Sequence, residues 1–129
     1  MAWEQPLFNL TFPAARNLST AQFRLVQLTT AMKVDRITSV AAPKLGILQN
    51  NPTSGMEANV MCIGVSKAHL GGNVGKRQQI QSNGASTTLG GTIVAATSAT
   101  KGHNIGYALE AGAASNIVTV LLNGNNMQV

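Results

Sequence analysis

The chain of 129 residues has the length of a single domain, which leaves no room for a separate catalytic domain. A domain of this size buries roughly two thirds of its unfolded surface, so its core needs no disulfide or metal for stability. Only 10% of the residues are charged, against about 25% in ordinary soluble domains, while 44% are hydrophobic. Because uncharged amides and hydroxyls are less costly to desolvate than charged groups, this composition favours a protein that packs against neighbours.

The net charge of +5 comes from basic residues that are scattered along the chain from Arg16 to Lys101. Nucleic-acid-binding proteins usually cluster Lys and Arg on one face and interleave aromatic residues with them. Only Lys76 and Arg77 are adjacent here, so we expect no direct contact with nucleic acid, and the charge indicates attraction to an acidic protein surface or solubility. No segment approaches the ~18 apolar residues of a membrane span, and the N-terminus does not resemble a secretory signal. We therefore expect no membrane contact and synthesis in the cytoplasm.

Residues 1–19 differ in composition from the rest of the chain and predict an extended N-terminal arm. Three of the five aromatic residues lie here, Trp3, Phe8 and Phe12, together with two prolines. Proline disfavours a helix and favours extended chain, and aromatic side chains are enriched at interface hot spots. The aromatic residues should pack either on the chain's own domain or on another chain. We expect the arm to act in binding and to contribute little to folding.

The domain proper, residues 20–129, begins with two candidate strands. The mostly apolar segment 23–29 predicts a strand, although the apolar residues of segment 20–32 also fit one face of a helix. We favour the strand because a pair of threonines interrupts the helical pattern. Residues 34–40 predict a second strand, which a proline terminates shortly afterwards.

A short sequence pattern then occurs twice, about sixty residues apart, and predicts the same β-hairpin in two copies, one in residues 44–68 and one in residues 104–122. In each copy an apolar residue and a glycine, Gly46 or Gly106, start a short strand. A turn-forming linker follows, and a strand rich in β-branched residues returns. We expect both glycines where a side chain would demand a forbidden backbone angle or collide with a neighbouring strand.

The segment between the two hairpins is punctuated by glycine. Residues 71–76 resemble a phosphate-binding loop, but Leu70 occupies the position of the first glycine and Arg77 that of the magnesium-binding Ser or Thr. We therefore interpret the segment as a turn, with further strands at 78–81 and 92–96. The expected fold is all-β: a small antiparallel barrel or sandwich of β-tulip or jelly-roll type, with the extended N-terminal arm.

Residues that carry catalysis are scarce. The two histidines, His69 and His103, lack any accompanying motif of nucleophilic catalysis, so we expect no catalytic residues and predict that both histidines are ordinary loop residues. One cysteine and two distant histidines make a poor metal site, so we expect neither a metal nor a cofactor. Cys62 lies between apolar neighbours, which predicts a buried free thiol.

Short apolar strands with an apolar-Gly-apolar start, separated by a glycine-rich middle segment, run from about residue 20 to residue 122. The two starts are Leu45-Gly46-Ile47-Leu48 and Ile105-Gly106-Tyr107-Ala108. In this pattern the chain resembles the small head-decoration, or cement, proteins of tailed bacteriophages. The resemblance implies a protein without enzymatic activity that is made in the host cytoplasm and adds to the outer surface of an expanded icosahedral capsid. There it would bridge neighbouring subunits of the major capsid protein.

The resemblance also implies partners and contact residues. In related proteins the N-terminal arm commonly extends a sheet of the capsid protein or reaches an adjacent subunit, which makes interface candidates of Trp3, Phe8, Phe12 and Arg16. Related proteins assemble as trimers or dimers, and we favour a homotrimer here, with a dimer second. Two alternatives stay open. One is a β-module of a phage tail, fibre or baseplate, and the other is a carbohydrate-binding β-domain, which would usually present more aromatic side chains than the body of this chain offers.

Overall fold

The computed structural model describes residues 3–37, 44–82, 92–95 and 103–128. Every regular element in these residues is a β-strand, which confirms the all-β prediction. In chain order the strands are β1 Gln5–Pro13, β2 Leu25–Leu28, β3 Val34–Arg36, β4 Gly46–Leu48, β5 Glu57–His69, β6 Gln79–Ser82, β7 Ile93–Ala95, β8 His103–Ala108 and β9 Ile117–Gln128.

All nine strands of the described chain belong to one antiparallel sheet. Its order is β3-β2-β4-β5-β9-β8-β6-β7, and β1 pairs with β5 outside this path. Isolated bridges join Ala14 to Val34 of β3 and Leu70 to Ile93 of β7. The sheet therefore curls, so that its terminal strands β3 and β7 contact the residues that directly follow β1 and β5. Such curling is expected for a small antiparallel barrel or sandwich.

The predicted strands are present with shifted boundaries. The helix alternative for residues 20–32 is wrong, because β2 lies in the middle of that segment. The strand predicted over 34–40 corresponds to β3, and its residues 38–40 lie outside the described part of the chain. Residues 71–78 connect β5 to β6 through bends and turns, as predicted.

Both histidines lie in strands, so the prediction that they are loop residues is wrong. His69 is the last residue of β5, and His103 is the first residue of β8. The strand persists as far as His69 because the residues on either side of it, Ala68 and Leu70, are buried in the core. Alternating burial of this kind holds a strand against the body of the protein.

Both predicted hairpins are present and have the same register. The paired residues of the two copies are 60 positions apart: Ile47 with Met61 and Leu48 with Val60 in the first, and Tyr107 with Leu121 and Ala108 with Val120 in the second. The repeated sequence pattern therefore corresponds to a repeated backbone arrangement.

The structural repeat extends beyond the hairpins to a unit of five strands. β2 pairs with β3 and β4 as β6 pairs with β7 and β8. The pairing of β1 with β5 is also repeated, by the pairing of the C-terminal half of β5 with β9. Phe12 lies opposite Ala58 in the first pair of strands, and Ala68 lies opposite Val118 at the equivalent position of the second. We call β1–β4 with the N-terminal half of β5 the first unit, and the C-terminal half of β5 with β6–β9 the second unit. The two units thus share β5.

The turns repeat together with the strands. Phe23 and Arg77 both adopt left-handed backbone angles, with φ of 64° and 65°. Their N–H groups donate to the carbonyl oxygens of Leu48 and Ala108, each at 2.7 Å. Because residues with a Cβ rarely adopt this conformation, its occurrence at both sites indicates that the two units follow the same backbone path.

In the described parts of the chain, the core consists of two clusters of buried side chains. The cluster of the first unit contains Ala14, Leu18, Ala21, Val26, Val34, Leu48, Ala58 and Val60, with Phe12, Leu45 and Cys62 packed against it. The larger cluster draws on both units and contains Leu25, Ile37, Ile47, Met61, Ala68, Leu70, Val74, Ile80, Ile93, Ile105, Ala108, Val118, Val120 and Leu122. Cys62 is a free thiol, as predicted, although it is half-buried and not fully buried.

The N-terminal segment is extended, as predicted, and packs on the chain's own domain. β1 pairs antiparallel with β5 from Gln5 to Pro13, with irregularities on either side of Phe8 that leave Leu7 out of the register. Directly after β1, Ala14 and Leu18 are each 2% exposed and belong to the core cluster of the first unit. The expectation that this segment contributes little to folding is therefore wrong, because its removal would uncover one side of that cluster.

Gly46 and Gly106 occupy equivalent positions in the two units. A Cβ at Gly46 would overlap the carbonyl oxygen of Met61, and one at Gly106 would overlap that of Leu121. Gly106 also has a φ of 147°, whereas Gly46 has no positive φ. Of the two causes expected from the sequence, collision therefore applies to both glycines and the backbone angle to Gly106 alone.

Candidate interface on strand β1

Three large apolar side chains near the start of the described chain are exposed. Trp3 is 47% exposed, Leu7 78% and Phe8 48%. Single exposed apolar residues are normal on a soluble domain, but several large ones in one short segment make it a candidate interaction site. We call these three residues the β1 patch.

The backbone of β1 has an open edge. The backbone N–H and C=O groups of Leu10 and Phe12 point toward β5. The two residues of β5 that pair with them lie on either side of Asn59, whose own backbone groups bond toward β4. The N–H and C=O groups of Asn9 and Thr11 therefore point away from β5. Val34 of β3 bridges to Ala14 just beyond the C-terminal end of this edge, but no described strand pairs with it at Asn9 or Thr11, and β1 carries none of the charged side chains that usually protect an edge strand. A further strand can therefore add to the sheet here.

The structure divides the four candidate interface residues into two pairs. Trp3 and Phe8 belong to the exposed β1 patch, whereas Phe12 packs against the core cluster of the first unit. Arg16 forms a bidentate ion pair with Asp35 of β3, with Nε to Oδ1 at 2.7 Å and Nη2 to Oδ2 at 3.0 Å. Because half of the Arg16 side chain is exposed, this pair stabilises the fold only modestly. Phe12 and Arg16 thus have contacts within the chain.

The residues before β1 are attached to the second unit. The backbone N–H of Trp3 donates to Thr119 Oγ1 of β9 at 3.0 Å. Glu4 forms an ion pair with Lys67 Nζ of β5 at 3.5 Å, and that ammonium lies 5.4 Å from the centroid of the Phe23 ring. Each of these partly exposed contacts contributes little alone. Together they hold Trp3 and Glu4 on the surface of the sheet.

A cationic pocket lies at the far end of β5. It has a volume of about 360 Å³ and is lined by Arg24, His69, Leu70, Gly71, Thr92, Ala114 and Ser115. Burial, and secondarily the positive charge of Arg24, lower the pKa of His69. Burial also lowers the pKa of Arg24 from its ordinary value, although a guanidinium stays charged at neutral pH. The pocket is therefore suited to an anionic group.

Sequence reasoning missed Leu7 and this pocket. A signal was available for Leu7, because adjacent residues of a strand point to opposite faces, so Leu7 and Phe8 could not both face one core. No comparable signal existed for the pocket. Arg24, His69 and Ser115 are distant in sequence and are brought together by the pairing of β5 with β9 and by the turns at their ends.

Other kinds of site are not found in the described residues. In that part of the chain, no group of three or more His, Cys, Asp or Glu side chains is placed to hold a metal ion. The same residues include no helix that is long and apolar enough to cross a membrane.

Comparison with known proteins relates the fold to a phage structure. No family model matches the sequence, and no curated protein matches it. The chain is similar in structure to the N base of the head fibre protein gp8.5 of bacteriophage phi29, with a TM-score of 0.65. The two chains are 15% identical, and the match covers 95% of this chain and 98% of the phage chain. The similarity shows a shared fold, and its coverage extends to both five-stranded units.

Proposed function

We propose that the chain is a structural protein of a bacteriophage virion that binds the outside of the icosahedral head and cements neighbouring major-capsid subunits. The observation that carries this proposal is the fold, which is shared over nearly its full length with the base of a phage head fibre. The sequence resemblance to head-decoration proteins supports the same function. In this function the protein acts without enzymatic activity, metal or cofactor, and it resides on the outer capsid surface.

β1 is the proposed contact with the major capsid protein. Its open edge can hydrogen-bond to a capsid strand, while the side chains of the β1 patch determine the register of that pairing. Trp3 and Phe8 are the anchors, because large aromatic side chains that become buried at the centre of an interface typically contribute about 2 kcal/mol or more each. The net charge of +5 favours approach to an acidic capsid surface.

Self-association is the second part of the proposal, with a homotrimer favoured and a dimer second. A low fraction of charged residues lowers the cost of burying surface between copies. An oligomer that touches several capsid subunits at once also gains from multivalency, so each contact can be modest while the assembly stays bound.

The test is co-sedimentation with undecorated expanded capsids. We expect the parent chain to sediment with the capsids and the double variant Trp3→Ser, Phe8→Ser to stay mostly in the supernatant. Its melting temperature should change little, because both side chains are about half exposed. Met32→Ser is the matched control, since Met32 is 55% exposed but lies between β2 and β3, away from the patch. Failure of the parent to bind would contradict the decoration function, and full binding by the double variant would contradict the role of the patch.

A fibre or tail module is the second candidate function, because the similar phage structure is itself the base of a head fibre. The two candidates differ in the number of copies per virion. A decoration protein occupies sites all over the head and is present in hundreds of copies, whereas a tail or baseplate module is present in few. Quantitative mass spectrometry of purified virions would distinguish them.

A further inference from the structure

The cationic pocket and the acidic residues of the chain are complementary in charge. None of the described residues that line the pocket carries a carboxylate, and burial, with the positive charge of Arg24, lowers the pKa of His69. A carboxylate brought into the pocket would be attracted to the Arg24 guanidinium, which stays charged at neutral pH. The chain has four acidic side chains that can be compared as its source.

Three of these four carboxylates have partners within the chain. Glu4 pairs with Lys67, and Asp35 pairs with Arg16. Glu110 Oε2 accepts a hydrogen bond from the backbone N–H of Thr119 at 3.0 Å. Glu57 differs from them, because it is exposed and its carboxylate makes no ion pair or hydrogen bond with any described residue.

Glu57 cannot reach the pocket of its own chain. It is the first of the 13 residues of β5, and His69 is the last. Twelve strand steps of roughly 3.3 Å separate the two by up to about 40 Å. A contact between Glu57 and the pocket therefore requires a second copy of the chain.

Apolar groups next to the two sites are also complementary. Met56 adjoins Glu57 and is 59% exposed. Ile117 is 41% exposed and pairs with His69 in the sheet, so it lies beside the pocket. A neighbouring copy that places Glu57 in the pocket can thus cover Ile117 with Met56 and remove both apolar side chains from water.

We infer that Glu57 and Met56 of one copy dock into the Arg24–His69 pocket and onto Ile117 of the next. The two contact surfaces lie at opposite ends of β5, so the interface is heterologous, and such interfaces close into rings when the rotation between copies permits. A homotrimer is the ring that fits the proposed oligomeric state. The inference rests on that proposed self-association and adds the surfaces that make it.

Sedimentation velocity with charge-reversed variants tests the electrostatic contact. Glu57→Arg should weaken self-association by about tenfold or more, because it replaces the attraction between Glu57 and the Arg24 guanidinium by repulsion between two positive charges. The double variant Glu57→Arg, Arg24→Glu should restore association, because the two contacting charges are exchanged and still attract each other. Unchanged association of Glu57→Arg would overturn the inference.

Disulfide trapping tests the geometry independently of Arg24. In a Cys62→Ser background, Glu57→Cys with Ala114→Cys places thiols on the docking turn and on the rim of the pocket. Mild oxidation should give covalent trimers on a non-reducing gel, and Met32→Cys with Ala114→Cys should give none. Monomers only from the first pair would overturn the inference. Capsid co-sedimentation is measured separately. Covalent trimers of a chain that does not bind capsids would contradict the proposed function alone. Capsid binding without covalent trimers would contradict the inference alone.

Discussion

The two equivalent glycines allow a quantitative test of the repeat. Replacing Gly46 by alanine adds one carbon that overlaps the carbonyl oxygen of Met61. Carbon and oxygen atoms in neighbouring strands normally stay about 3.3 Å apart, so β4 and β5 must separate by about 1 Å at this point. Overpacking of this kind typically costs about 1–3 kcal/mol. The larger side chain of valine would cost at least as much.

Gly106→Ala should be more destabilising than Gly46→Ala. The new carbon overlaps the carbonyl oxygen of Leu121, and alanine must also adopt a φ of 147°. A strained backbone angle costs about 1–3 kcal/mol, so the two effects together reach about 2–6 kcal/mol. Because a typical domain is stable by only about 5–15 kcal/mol, this variant should fold marginally.

Urea unfolding followed by circular dichroism measures these differences. Gly75→Ala is the matched control, since the nearest atom to its added carbon is Gln78 Oε1 at 3.4 Å, at the end of a flexible side chain. We expect the control to stay within about 0.5 kcal/mol of the parent. If Gly46→Ala unfolds like Gly75→Ala, or if Gly46→Ala is more destabilised than Gly106→Ala, the explanation by collision and backbone angle is refuted.

Three further predictions concern the N-terminal strand and the pocket. Phe12→Ala should lower the free energy of unfolding by about 1–3 kcal/mol, and the melting temperature with it, because Phe12 packs on the core. Phe8→Ala should change that free energy by less than about 0.5 kcal/mol, because Phe8 does not. Deleting residues 3–13 should accelerate the reaction of Cys62 with a disulfide reagent, because burial raises the pKa of this thiol by more than the hydrogen bond with the Leu10 backbone lowers it, and the deletion reduces the first and removes the second. An unchanged rate would show that β1 does not cover the thiol. The pKa of His69 is lowered in the folded chain, so the unfolded chain binds more protons, and stability should fall as pH drops below about 6.5. NMR titration of His69 checks this, and a pKa at or above the ordinary value would contradict it.

The sequence predicted the repeated hairpin because its two copies share residue types that the geometry requires. A glycine must stand where the neighbouring carbonyl leaves no space, and β-branched residues favour the returning strand. Both requirements are visible in the sequence at Gly46 and Gly106.

The remainder of the repeat could not be predicted, because it depends on backbone hydrogen bonds, and residues with many different side chains can form these. Phe23 and Arg77 make the same turn with unlike side chains. The pairing of β1 with β5 was also hidden, since two prolines and several apolar residues in the same segment are equally compatible with a free arm and with an edge strand. The candidate interface was therefore predicted in part, with Trp3 and Phe8 exposed and Phe12 directed to the core.

The sharing of β5 determines how the chain can unfold. A duplicated protein commonly consists of two modules joined by a linker, and each module can melt alone. Here the N-terminal half of β5 pairs with β1 and its C-terminal half pairs with β9, so a cut at any point removes a strand from at least one unit. Each fragment would expose an unpaired edge and part of the common core. The two units therefore repeat one shape but fold as one cooperative body with a single unfolding transition.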